Sequence, residues 1–209
     1  MPHTYRNTVK TWLARFRRFV FLRRPIGLAA LGRDSAILRP RTLWGRDHIN
    51  VGDDCVVLPH SLIQAVVNYE GSHFNPTIRI GNGVYIGRYA YLVASEEIAI
   101  EDGCVLSEHV YITDGNHGYD PHSGPIMQQP FETKGPVHIG PNCFLGYRVA
   151  VMPNVTLGEW CIVGANSVVT RSFPAYSMIA GAPARVVKVY SHEQRKWVAP
   201  PQSTKERTD

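Results

Sequence analysis

Cysteine is scarce in this chain, and its four cysteines, Cys55, Cys104, Cys143 and Cys161, never form a CxxC pair. That argues against a cysteine zinc site and against a disulfide framework. Free thiols of this kind fit a reducing compartment. No apolar run reaches the length of a membrane span. The N-terminal apolar patch, Phe19 to Leu22, is too short for a secretory signal core and is bracketed by arginines. No recognition helix or aromatic-basic module points to nucleic acid. Disorder is excluded as well, because 44% of the 209 residues are hydrophobic. A chain of this length suits one domain with a modest extension.

What the chain does have is a repeat of six. From Ile139 it divides into IGPNCF, LGYRVA, VMPNVT, LGEWCI, VGANSV and VTRSFP. Each block opens on an aliphatic residue: Ile139, Leu145, Val151, Leu157, Val163, Val169. The fifth position is small or aliphatic in all but the last: Cys143, Val149, Val155, Cys161, Ser167. The same register runs upstream from Val51, from Ile80 and, after a two-residue slip, from Ile100. A period of six is neither helical nor that of an ordinary strand. Two apolar positions must face one interior while the residues between them face water. Short strands separated by turns meet that demand, with glycine, Asn, Asp and Pro supplying the turn chemistry. Stacked coils then bury one continuous apolar column. The pattern predicts an all-β solenoid of short parallel strands. A β-sandwich would instead alternate with period two between hairpin turns.

Residues 1–48 read as a basic N-terminal helix and lead-in. Within them, residues 5–23 place Val9, Trp12, Leu13, Phe16, Phe19 and Val20 at helical spacing. The helix is expected to cap the first coil, with a partial coil near Ala36 to Leu43. The net charge of +5 is concentrated here, in Arg15, Arg17, Arg18, Arg23 and Arg24. That favours partners with phosphate or anionic lipid. The solenoid is assigned to residues 49–189, and 190–209 form a tail with a helical turn near 191–198. Two segments break register, 64–79 and 113–136, and the second is rich in Gly and Pro. Inserted loops of a solenoid commonly carry its binding function.

Taken together, TDGNHGYD, the run PVHIGPNCFLGYRVAVMPNVTLGEWCIVGANSVVTRSFP and the closing AGAPARVVKVY resemble the bacterial hexapeptide-repeat acyltransferases. The likeness is greatest to the O-acetyltransferases of sugars and surface polysaccharide, with the maltose, nodulation and xenobiotic acetyltransferases as near relatives. The resemblance covers residues 49–189. It implies a left-handed parallel β-helix with an N-terminal helical extension. It also implies a homotrimer with active sites between subunits, and acetyl-CoA as donor. No metal is expected. The acceptor it implies is a saccharide, lipid- or nucleotide-linked; the expected place is the cytoplasm, with the basic N-terminal helix the one hint of contact with the inner face of the membrane.

Acetyl transfer to a hydroxyl needs a base for the attacking group, and histidine titrates near neutrality. His117 matches the family's catalytic histidine in the long loop. Its orienting partner is open among Asp114, Asp120, Glu108 and a backbone carbonyl. His122 is a second candidate base. Gly146 matches a glycine near the family's oxyanion donors. Gly164, Ala165 and Ser167 fit the donor's pantetheine by position, as does Gly146. Arg171, Arg185 and Lys188 are cations for its phosphates. Asn116, Tyr119, Tyr91, Phe74 and Phe131 are candidate acceptor contacts. The alternatives are N-acetylation of an amino sugar, a drug-modifying acetyltransferase, a carbonic anhydrase-like metal site using His109, His117 and His122, and a purely structural β-helix.

Overall fold

The computed structural model describes residues 27–200. The helix expected over 5–23 and the last residues of the tail, 201–209, lie outside them. Three sheets surround one core. The first stacks Ala30–Leu31, Ile49–Val51, Thr77–Ile80, Glu97–Ile100, Val137–Ile139 and Thr156–Leu157. The second stacks Ala36–Ile37, Val56–Val57, Tyr85–Ile86, Val105–Leu106, Phe144–Leu145 and Ile162–Val163, and continues into Ser177–Gly181. The third stacks Thr42–Trp44, Leu62–Ala65, Tyr91–Ala94, Tyr111–Thr113, Ala150–Val151 and Val168–Val169. Every pairing among these strands is parallel. The chain visits the sheets in turn, so three hexads make one coil. The first coil is complete from Ala30 to Trp44, where the sequence predicted only a partial one.

The first and fifth hexad positions all point inward. Ile139, Leu145, Val151, Leu157, Val163 and Val169 are fully buried, and so are Val149, Val155, Cys161 and Ser167. The four cysteines are free and buried, in the filler role their position predicted. Each thiol donates to a carbonyl of the next coil, as Cys143 does to Gly158 at 3.1 Å.

The turn chemistry differs from expectation. The glycine at the second position is not the left-handed residue. At Gly146 a Cβ would meet the Ala165 nitrogen at 2.8 Å and the Val163 carbonyl oxygen at 2.9 Å. Glycine is there because the next coil passes too close for a side chain. The left-handed residue is the fourth, with φ of 55° to 71° at Asp54, His60, Gly83, Tyr89, Gly103, His109, Asn142, Arg148, Asn154, Trp160 and Asn166.

Both off-register segments leave from the corner between the third and first sheets. One follows Leu62–Ala65 and holds a small hairpin, Asn68–Tyr69 against Ser72–His73. The other follows Tyr111–Thr113 and holds an antiparallel ribbon, Gly115–His117 against Phe131–Thr133. At the far end, Ser177–Gly181 pairs antiparallel with Ala184–Ser191, which pairs with Lys196–Val198. In place of the helical turn expected near 191–198, a tight turn at 192–195 leads into that last strand. Its Trp197 ring sits 5.4 Å from Tyr190, an aromatic cross-strand pair of the kind that stabilises sheets.

Candidate active site

The ribbon that carries His117 belongs to none of the three sheets. It has three cross-strand pairs, Gly115 with Thr133, Asn116 with Glu132, and His117 with Phe131. A two-stranded ribbon of that size is marginal in water unless it packs on something. Here it is held at both ends.

At its base stands Asp114, fully buried. Its Oδ1 accepts from the Ser95 amide at 2.7 Å and the Ser95 hydroxyl at 3.0 Å. Its Oδ2 accepts from the Glu96 amide at 2.8 Å. Ser95 and Glu96 form the short link between the third and fourth coils. The Asp114 backbone carbonyl accepts from the Lys134 amide at 2.8 Å, across the ribbon. With its hydroxyl hydrogen committed to Asp114, Ser95 Oγ accepts from the Thr133 hydroxyl at 3.1 Å. A buried carboxylate is tolerable only when so satisfied.

At its other end the ribbon meets the first excursion. The Tyr69 ring lies edge-on to His117 at 5.1 Å and to Phe131 at 6.1 Å. The Phe131 ring is 5.6 Å from His117, and Phe74 is 6.2 Å from Phe131. His117 is thus flanked by two aromatic edges, with its Nδ1 buried and without a hydrogen-bond partner. Beyond it the loop is pinned by Gln129, 3% exposed, whose amide donates to the Asp120 and Gly124 carbonyls at 2.9 and 2.7 Å. Asp120 accepts from the His122 amide and the Ser123 hydroxyl, which hold its carboxyl below the usual range.

The structure therefore gathers His117, Phe131 and Phe74, and adds Tyr69. Asp114 is engaged with the Ser95–Glu96 link and not with the imidazole. Glu108 pairs with Arg88 at 3.1 Å on the corner between the second and third sheets. Tyr119 is 68% exposed, beneath the Lys134 ammonium at 5.7 Å. Tyr91 lies on the third sheet, 6.4 Å from Tyr111. Asn116, beside His117 on the ribbon, is half-buried.

The donor candidates occupy other corners. Gly146, Gly164, Ala165 and Ser167 line the corner between the second and third sheets. The amides of Gly146 and Gly164 already donate to Val163 and Ile179 of the next coil. The Ser167 hydroxyl donates to the Gly164 carbonyl at 2.6 Å and accepts from the Gly181 amide at 3.1 Å. Arg171 lies over Phe173 at 5.0 Å, while Arg185 and Lys188 are exposed on Ala184–Ser191. His109 stacks on Tyr89 at 4.9 Å, away from the ribbon, and no group of three metal-binding side chains forms among the described residues.

Ser95 escaped sequence reasoning, although the two-residue slip before Ile100 marked its place. Tyr69 carries no signal in the sequence beyond being one of the aromatic residues of the first excursion.

The model for bacterial transferase hexapeptide (six repeats) matches residues 136–171. WbbJ of Escherichia coli K12, named for O-acetyl transfer in lipopolysaccharide biosynthesis, is 36% identical over 126 residues. That match covers 57% of this chain and 64% of WbbJ. Rv3034c of Mycobacterium tuberculosis, named as an acetyltransferase, is 33% identical over 151 residues, covering 72% of this chain and 44% of its own. The chain thus spans less than two thirds of these relatives. Among solved structures, AntD, an N-acyltransferase from Bacillus cereus in complex with dTDP and 3-hydroxybutyryl-CoA, superposes with TM-score 0.65 at 20% identity, over 81% of this chain and 87% of that one. A maltose O-acetyltransferase from Clostridium difficile superposes with TM-score 0.54 at 20% identity, over 90% and 87%. At such identity the likeness concerns the fold.

Proposed function

Because the chain belongs to the hexapeptide-repeat acyltransferase superfamily, we propose that it transfers an acyl group from acyl-CoA to a saccharide, with His117 as general base. The observation that carries this reading is the histidine itself, raised off the solenoid on a dedicated ribbon, flanked by aromatic rings and pinned at its base. A scaffold protein has no need of such a device. The Nδ1 of His117 is shut away from solvent, so proton transfer runs through Nε2. As the acceptor attacks the thioester carbonyl, Nε2 takes its proton. The new bond to carbon forms, the carbon–sulfur bond breaks, and the imidazolium returns the proton to the departing thiolate. The rings of Tyr69, Phe74 and Phe131 offer a wall for a sugar face.

The complete site, in this reading, spans two copies. His117 rides on one corner of the solenoid and the Gly146, Gly164, Ala165 strip on another. A neighbouring copy would supply the second set. A homotrimer of left-handed coils meets that need. AntD is named as an N-acyltransferase, and a serine-to-alanine mutant of it was solved with dTDP-4-amino-4,6-dideoxyglucose and coenzyme A, which brings an amino sugar on a nucleotide carrier forward as acceptor, ahead of the hydroxyl expected from the sequence resemblance. WbbJ keeps the hydroxyl in play.

The test is thiol release from acetyl- and longer acyl-CoA, with nucleotide-linked amino sugars, free sugars and lipid-linked saccharides as acceptors. One acceptor should turn over, and His117→Ala should lower kcat about 100-fold to 10,000-fold. No release with any acceptor, and no CoA binding by calorimetry, would defeat the proposal.

A further inference from the structure

The sequence left Asp114 as a partner for the imidazole. Its carboxylate instead accepts three hydrogen bonds from Ser95 and Glu96 and makes none to His117. The same residue's carbonyl receives the Lys134 amide, and Ser95 is bonded to Thr133. One buried side chain thus joins the outgoing strand, the returning strand and the body of the solenoid. The Glu96 carbonyl also accepts from the Thr77 amide at 2.8 Å, where the first excursion rejoins the solenoid. The link that Asp114 grips is therefore common to both excursions, and these meet again at Tyr69 and His117.

We propose that Asp114 is a positioning residue, which fixes the ribbon bearing His117 by closing on the Ser95–Glu96 link, so that its loss misplaces the base and leaves donor binding intact. The proposal rests on His117 being the base. Its physical ground is the ribbon's size. Three pairs do not hold themselves, and the rings at the far end set direction without tying the strands to the coils. Charge-assisted hydrogen bonds from two backbone amides are directional and stronger than neutral ones. They fix where the strand begins, three residues before His117.

The chemistry ranks the variants. Ser95→Ala removes one donor and keeps both amides. Asp114→Asn keeps the shape but turns an NH2 group toward an N–H donor. Asp114→Ala removes every acceptor. The experiment uses the purified full chain and three readouts: amide hydrogen exchange in 115–117 and 131–133, the ring 15N signals of His117, and kcat against donor KM. For Asp114→Asn, exchange in the ribbon should speed up about tenfold or more and the His117 signals should move. Its kcat should fall about 100-fold, with donor KM within about threefold of wild type. Ser95→Ala should lose less than about tenfold in kcat. A folded Asp114→Asn protein with wild-type exchange and unmoved His117 signals overturns the proposal, as does a proportional change in kcat and KM. If wild type transfers to no acceptor, the functional reading fails by itself, and exchange and ring signals still judge the clamp. If Asp114→Ala does not fold, the comparison of Asp114→Asn with Ser95→Ala decides.

Discussion

At the scale of single residues, Gly115 shows how little room the site leaves. A Cβ there would lie 2.4 Å from Phe131 Cε1, 2.7 Å from the Glu132 carbonyl oxygen and 2.9 Å from Ser95 Oγ. The Phe131 ring can swing aside, but the backbone carbonyl cannot. Gly115→Ala should therefore dislodge Phe131 from His117 and destabilise the ribbon by about 1–3 kcal/mol, the usual range for overpacking. Calorimetry should show a lowered Tm, and turnover should fall with it. An unchanged melting profile with full turnover would mean that the ribbon yields freely. The same scale separates what the sequence could tell from what it could not. The inward first and fifth positions were legible because burial imposes their period. The second-position glycine was legible as a signal and misread in cause: it marks the close approach of the next coil, while the left-handed residue two positions on is often Asp, Asn, His or even Trp160. Asp114 was visible as a carboxylate near a histidine. Proximity in sequence could not reveal that an extended strand carries the two apart and that a link nineteen residues upstream captures the carboxylate.

At the scale of elements, the two excursions form the site together. Their limits, 64–79 and 113–136, were legible as losses of register. That they meet follows from coil arithmetic, since both depart after a third-sheet strand, two coils apart. Which side chains meet was not legible, because aromatic residues in loops carry no periodic constraint. Tyr69 is the hinge of that meeting. Its hydroxyl lies 3.4 Å from the Met127 carbonyl, a long hydrogen bond, while its ring touches both His117 and Phe131. The ring is therefore the part that matters. Tyr69→Phe should behave almost as wild type. Tyr69→Ala removes one flank of the imidazole and should lower kcat roughly tenfold to 100-fold, the scale of a displaced catalytic group, without disturbing the solenoid's Tm. Steady-state kinetics on the two variants decide the matter: equal losses would assign the effect to the hydroxyl, and no loss in either would detach the first excursion from the chemistry.

At the scale of the whole molecule, a solenoid is a stack whose ends would otherwise expose unpaired strand edges, and such edges template association. The sequence predicted a helical cap at the beginning, on residues outside the described structure, and beyond the last coil only a tail with a helical turn. What closes it is a change of direction. After Ile162–Val163 pairs with Ser177–Gly181 in parallel, the next two strands run antiparallel. Parallel growth needs a full coil per strand, whereas an antiparallel return needs only a turn, so the stack ends without another coil. Ala184, 1% exposed, seals the core beneath. Removing residues 184–209 should therefore bare the whole edge of Ser177–Gly181. The shortened chain should associate with rising concentration in light scattering and lose its sharp melting transition. Removing only 201–209 leaves the antiparallel strands in place and should change neither. A chain ending at 183 that kept the size distribution and Tm of the full protein would show that the stack needs no such closure, and that the antiparallel strands serve the exposed Arg185 and Lys188 instead.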